Sequence, residues 1–193
     1  RFDTEKFNSE DEFMILRKIN AFLSLFTTAL LMDHAMFFSI WMLSRCSIEK
    51  SDDFMPLLLL SFMVVHAIFS IILLIKNRKG AGKNKCKKYS ELNIETYVQR
   101  ISGVLIILLM GLHIAGAANH FQPKTLHAIV HPLFFAVALI HSAVSVDKAF
   151  VTLGVGNVGF IRTVSIVIKI ICGATLVAGV IGFYMCLFMG VAK

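Results

Sequence analysis

Five uninterrupted apolar runs set the terms on which this chain folds: Phe22–Leu43, Phe54–Ile75, Tyr97–Ala118, Leu126–Val146, and a last run from about Arg162 to Val191. A helix rises about 1.5 Å per residue, so about 20 residues cross a hydrocarbon core of about 30 Å. Inside lipid each backbone N–H and C=O must be satisfied within its own segment, which makes these runs helices. The expected fold class is an all-α membrane protein, a five-transmembrane-helix bundle. The fifth run exceeds what a crossing needs and is expected to tilt or to run past the bilayer.

Composition agrees. Of the 193 residues 57% are hydrophobic and 16% charged, against about 25% charged in an ordinary soluble domain. The net charge of +7 invites a nucleic-acid reading, but too little polar surface remains to present a basic face, and no nucleic-acid partner is expected. The positive charge is instead concentrated between spans two and three. Lys76, Arg78, Lys79, Lys83, Lys85, Lys87 and Lys88 stand there without an acid, while the stretches Arg45–Asp53 and Asn119–Thr125 hold only Arg45, Lys50 and Lys124. Positive loops stay cytoplasmic, which places the N-terminus and the second and fourth connections inside. The basic loop also has the chemistry to dock an acidic partner or anionic lipid.

The opening segment RFDTEKFNSEDEF is polar and mixed in charge, unlike a cleaved signal peptide. The chain begins on Arg1 rather than Met, so further residues are expected before it. With no composition shift, repeat or linker, residues 1–193 read as a single transmembrane domain. Cys46, Cys86, Cys172 and Cys186 have no CxxC or CxxCH spacing. That argues against a disulfide framework, a zinc site or covalently attached c-type haem.

Ionisable groups inside a membrane span are costly and usually functional. Four spans hold such histidines. Counting from the cytoplasmic edges, His34 lies roughly 18 Å along span one and His113 roughly 24 Å along span three. His66 and His141 end roughly 14 and 8 Å above that edge. An outer and an inner level result. Histidines from different helices at one depth suit a b-type haem, whose iron takes two neutral imidazoles from opposite faces. Apolar walls help set its potential. Gly103, Gly111, Gly116 and Ala117 would leave room for a flat macrocycle, though small residues also serve helix packing. Depth alone leaves the pairing open. His131, about 7 Å below the outer edge of span four, reaches the level of His113, and His34 and His66 are also within reach of each other.

Several stretches carry a further resemblance: FMILRKINAF and LLMDHAMF in span one, VVHAIFS in span two, and YVQRISGVLIILLMGLHI in span three. LIHSAVSVDKAFVTLGVG closes span four, and IRTVSIVI enters span five. Over nearly its whole length the chain resembles the five-helix dihaem cytochrome b anchor subunit of succinate:menaquinone and menaquinol:fumarate oxidoreductases, the complex II family. The resemblance implies two haems b: a proximal one on His66 and His141, and a distal one on His34 and His113. His131 is then not a ligand. Arg17, Lys18 and Arg100 match positions near haem propionates, and cations suit carboxylates at the inner interface. Arg162 and Lys169, seven apart, share a helix face about 10 Å apart. Lys169 is deep enough to need a propionate or a snorkelling route to the interface.

The resemblance also implies menaquinone at the outer end, beside an acid that this sequence does not match. The candidates are Asp33, Asp52, Asp53 and His131, with His120 and His127 as further outer imidazoles able to take a quinol's protons. Glu49, Asp52, Asp53 and His120 also read as a solvated loop, whereas Asp33 in span one demands a partner or a proton. The implied partners are a flavoprotein and an iron–sulfur protein on the cytoplasmic side of a bacterial inner membrane, and a dimer of the whole complex stays open. The chain has no glycine pattern for FAD and no cysteine cluster of its own, so its chemistry would be quinone oxidoreduction and electron transfer. Two alternatives stand beside this reading: a dihaem cytochrome b serving a hydrogenase or formate dehydrogenase, and a small proton-coupled transporter built on the same buried groups.

Overall fold

The computed structural model describes the backbone of residues 2–44, 54–80, 94–119 and 124–189, and the side chains of 11–44, 54–76, 94–115 and 129–185. Five helices run through them: α1 (Phe2–Leu43), α2 (Phe54–Gly80), α3 (Ile94–Asn119), α4 (Lys124–Leu153) and α5 (Val158–Met189). All five are long and apolar enough to cross a membrane, the character of a multi-pass membrane protein. Large apolar side chains such as Ile68, Leu108, Ile170 and Val177 point outward. In water so much exposed apolar surface would be a liability; against lipid it is what the solvent requires.

Helices α1, α4 and α5 pack on one another. Ala35, Leu139 and Cys172, one from each, are buried at their junction, with Met32, Phe135 and Leu176 around them. Small residues let the backbones approach, as they do between helices in lipid. A Cβ on Gly182 would fall 2.8 Å from Met42 Cβ, and one on Gly179 would fall 2.5 Å from Phe135 Cε1. Ser39 Oγ donates to Ala35 O at 2.7 Å and lies 3.3 Å from Thr175 O of α5. The other two helices are attached more sparingly. Among the described residues α2 packs only on α1, and α3 only on α4. A gap therefore separates α2 from α3, floored by α1 and α4.

Two helix boundaries differ most from the apolar runs. Helix α1 begins at Phe2, twenty residues before Phe22, because a polar lead can be helical without being apolar. Helix α4 continues past Val146 to Leu153. Asp147 and Lys148 end the apolar pattern but not the helix, which stops at Gly154 with φ of 86°. The Gly154 N–H donates to Val151 O at 3.1 Å and the Val155 N–H to Phe150 O at 3.2 Å, a glycine-ended Schellman closure. Asn157 Oδ1 then accepts the Phe160 N–H at 3.0 Å and caps α5. Measured from the Lys76 and Leu153 ends of the apolar segments, His66 and His141 lie roughly 15 and 18 Å deep. That is closer to one level than the shorter runs implied.

Candidate functional site

The gap between α2 and α3 is a cavity of about 600 Å³, within the roughly 300–1,000 Å³ typical of cofactor sites. Helices α1 to α4 line it, in rows at helical spacing. On α1 the row is Asn20, Ser24, Thr27 and Leu31; on α3 it is Gln99, Gly103, Ile106 and Met110. His66 of α2 and His141 of α4 both line the space. Arg17, Arg100 and Lys148 line it as well, near the starts of the apolar segments of α1 and α3 and near the end of that of α4. Walls of aliphatic and small side chains with cations toward one end suit a flat apolar molecule carrying carboxylates.

The polar atoms here are partly unsatisfied. His66 Nδ1, Thr27 Oγ1 and Ser145 Oγ are buried without a hydrogen-bond partner, and all three residues line this cavity. Buried polar groups are rarely left in that state. His141 is held more firmly. Ser102 Oγ lies 2.8 Å from its Nδ1. The serine hydroxyl has carbonyl acceptors of its own, Val98 O at 2.5 Å and Gln99 O at 3.2 Å. Its proton goes to a carbonyl, so Nδ1–H of the imidazole is assigned as donor and Nε2 keeps a bare lone pair. On the same turn a Cβ at Gly103 would meet His141 Cε1 at 3.3 Å, so any larger residue there would have to push the ring away by a few tenths of an ångström.

The residues present therefore fit a bis-imidazole macrocycle at the inner level: space, two histidines, apolar walls and cations for carboxylates. Among the described residues no three His, Cys, Asp or Glu side chains gather, and axial ligation by two histidines asks for no such cluster.

The outer level is arranged differently. His113 Nδ1 lies 3.3 Å from His131 Nδ1. The His131 ring also meets Phe38 at 4.9 Å and stacks on Phe183 at 4.8 Å, while Phe134 stacks on His113 at 5.1 Å. The crevice beside His131 has no room for a water molecule. The rings as packed do not fit a second macrocycle. His34 is half-buried on α1 next to exposed Asp33. Neither His34 nor His113 lines the inner cavity, yet each continues a lining row one turn outward: Leu31 to His34 on α1, Met110 to His113 on α3.

The remaining sequence candidates separate. Lys18 and Arg162 are exposed and stand away from the cavity lining. Lys169 pairs with Asp147 Oδ2 at 3.3 Å, so a protein carboxylate is the partner its depth demanded. Gly111 faces open space and leaves room for nothing in particular. Asp52, Asp53, Glu49, His120, the basic loop from Ala81 to Lys88, and the side chains of Arg78, Lys79, His127, Gly116 and Ala117 lie outside the described residues.

Two residues escaped the sequence reading: Ser102, which contacts His141 Nδ1, and Lys148, which lines the cavity. Lys148 Nζ donates to Thr96 Oγ1 and Gln99 Oε1, both at 3.0 Å, which fixes it to α3 at the inner end. Its seven-residue spacing from His141 was a usable signal, since that spacing returns to the same helix face.

Family models, curated proteins and solved structures were compared with the chain, and none matches it.

Proposed function

We propose that this chain is the haem-bearing membrane anchor of a complex II-type succinate:menaquinone or menaquinol:fumarate oxidoreductase in a bacterial cytoplasmic membrane, with its N-terminus inside. The observation that carries the proposal is the cavity between α2 and α3, with His66 and His141 in one lining and three buried polar atoms left unsatisfied around it. His66 and His141 would ligate the iron, and Arg17, Arg100 and Lys148 would receive the propionates. A haem bound there supplies a one-electron carrier in a dry, low-dielectric site.

The chain's own residues do the rest. Ser102 and Gly103 hold the His141 ring, and Ile106 and Met110 of α3 give the cavity an apolar wall. Support for a second haem, on His34 and His113, comes from the resemblance and from the continuation of the α1 and α3 rows; the outer rings would have to separate to admit it. Asp33 and His131 remain the described candidates for exchanging protons with quinone. The chain would then carry electrons between menaquinone and an iron–sulfur protein docked, with its flavoprotein, on the cytoplasmic side.

The test is a reduced-minus-oxidised visible spectrum of the purified chain with haem quantified per polypeptide. A b-type signal at one or two haems per chain is the expected result. No b-type signal ends the haem reading and leaves the transporter alternative standing. A co-purifying partner without flavin or dicarboxylate activity excludes complex II in favour of another quinone-linked oxidoreductase.

A further inference from the structure

Resting on that reading, the geometry points to Ser102 as a positioning residue that sets the tautomer of His141 and the reduction potential at the inner site. Ser102 is 5% exposed, and its hydroxyl is the atom 2.8 Å from His141 Nδ1. A hydroxyl can give one proton and accept through two lone pairs. Here the proton is directed along α3 to Val98 O or Gln99 O, one turn back, leaving a lone pair aimed at the imidazole. The ring must then donate through Nδ1 and offer Nε2 on a side chain that lines the cavity. The reversed tautomer would put two lone pairs face to face.

The electronic consequence follows. An imidazole that donates a hydrogen bond through its distal nitrogen is a more basic ligand. A more basic ligand favours the higher oxidation state of a metal and so lowers the potential. Removing the acceptor at position 102 raises it. Gly103 makes the effect specific to this ring: the Cβ clearance of 3.3 Å to His141 Cε1 keeps the imidazole against the turn that carries the hydroxyl. On the facing side His66 Nδ1 is buried without a hydrogen-bond partner.

The experiment uses the full chain purified in detergent with haem bound. Ser102→Ala and Ser102→Thr are compared with the parent by redox titration and by low-temperature EPR of the ferric state. The haem in question is the one that His66→Ala removes. Ser102→Ala is expected to keep its haem and to raise that potential by about 59 mV, a tenfold change in the relative stability of the two oxidation states for a one-electron couple. Its ferric EPR signal is expected to move, and Ser102→Thr, which keeps the hydroxyl, to stay near the parent in both. Loss of haem in the alanine variant with retention in the threonine variant also supports the hydroxyl's role. An unchanged potential in haem-loaded Ser102→Ala overturns the proposal, as does equal loss of haem in both variants, which marks a packing requirement. A parent protein with no b-type haem fails earlier: the functional reading falls, and this proposal with it.

Discussion

Lys169 Nζ stands 3.3 Å from Asp147 Oδ2, a salt bridge joining α5 to α4. The other carboxylate oxygen, Asp147 Oδ1, is buried without a hydrogen-bond partner. Both side chains are only partly covered, at 43% and 34% exposure, so the pair is worth the modest amount of a polar contact between membrane helices. Lys169→Met is expected to lower stability by about 0.5–2 kcal/mol because it strands the carboxylate. The double variant Lys169→Met/Asp147→Asn should recover most of that loss. Thermal unfolding in detergent of both single variants and the double closes the cycle, and strict additivity would show that the pair contributes nothing.

Ligand assignment is decided by haem content. His66→Ala and His141→Ala are expected to remove one and the same haem, and His34→Ala and His113→Ala the other. His131→Ala should keep the haem on His66 and His141, because its ring sits among Phe38, His113 and Phe183 and stands away from the cavity lining. Spectral quantification per chain reads the result. Loss of a haem in His131→Ala would reopen the outer pairing, and retention of both in any of the other four would break the assignment.

Two glycines of α3 separate helix propensity from cavity shape. Alanine is favoured over glycine inside a helix by roughly 0.5–1 kcal/mol. At Gly111, where a Cβ meets nothing within 4 Å, alanine should raise the thermal midpoint by that increment and leave haem content unchanged. At Gly103 the new methyl presses on His141 Cε1 at 3.3 Å. Gly103→Ala should therefore lower haem occupancy while helical circular dichroism is retained.

Close approach of α5 to α1 gives a second contrast. A Cβ on Gly182 would sit 2.8 Å from Met42 Cβ and 3.1 Å from the Leu43 backbone nitrogen. A backbone neighbour cannot step aside as a flexible side-chain end can. Gly182→Ala is expected to destabilise by about 1–3 kcal/mol, the usual cost of overpacking, whereas Gly173→Ala, with open space around it, should be neutral or better. Unfolding in detergent distinguishes them.

These variants also show what could be read in advance. The five crossings were legible because hydrophobic length is a property of sequence alone. Counting residues put His66 and His141 in the inner half of their spans but left the pairing of the histidines open; the structure puts both on one cavity. What counting does not supply is the rotation of each helix about its axis. That is why His131 could be placed at the level of His113 but its stacking against Phe183 could not be foreseen. Ser102 was hidden for a related reason: its importance comes from a lone-pair direction 39 positions away in sequence from the ring it orients. Lys148 was hidden by its neighbours, since charge at Asp147 and Lys148 ended the apolar pattern while α4 ran on to Leu153.

The sparse attachment of α2 has a bearing on biogenesis. Among the described residues it leans on α1 alone, and across the gap it faces α3 with His66 turned into the cavity. The α1–α4–α5 trio packs without it. A guest held by both His66 and His141 would join α2 to α4 and give α2 a second attachment, so that capture of the guest and completion of the bundle would be coupled.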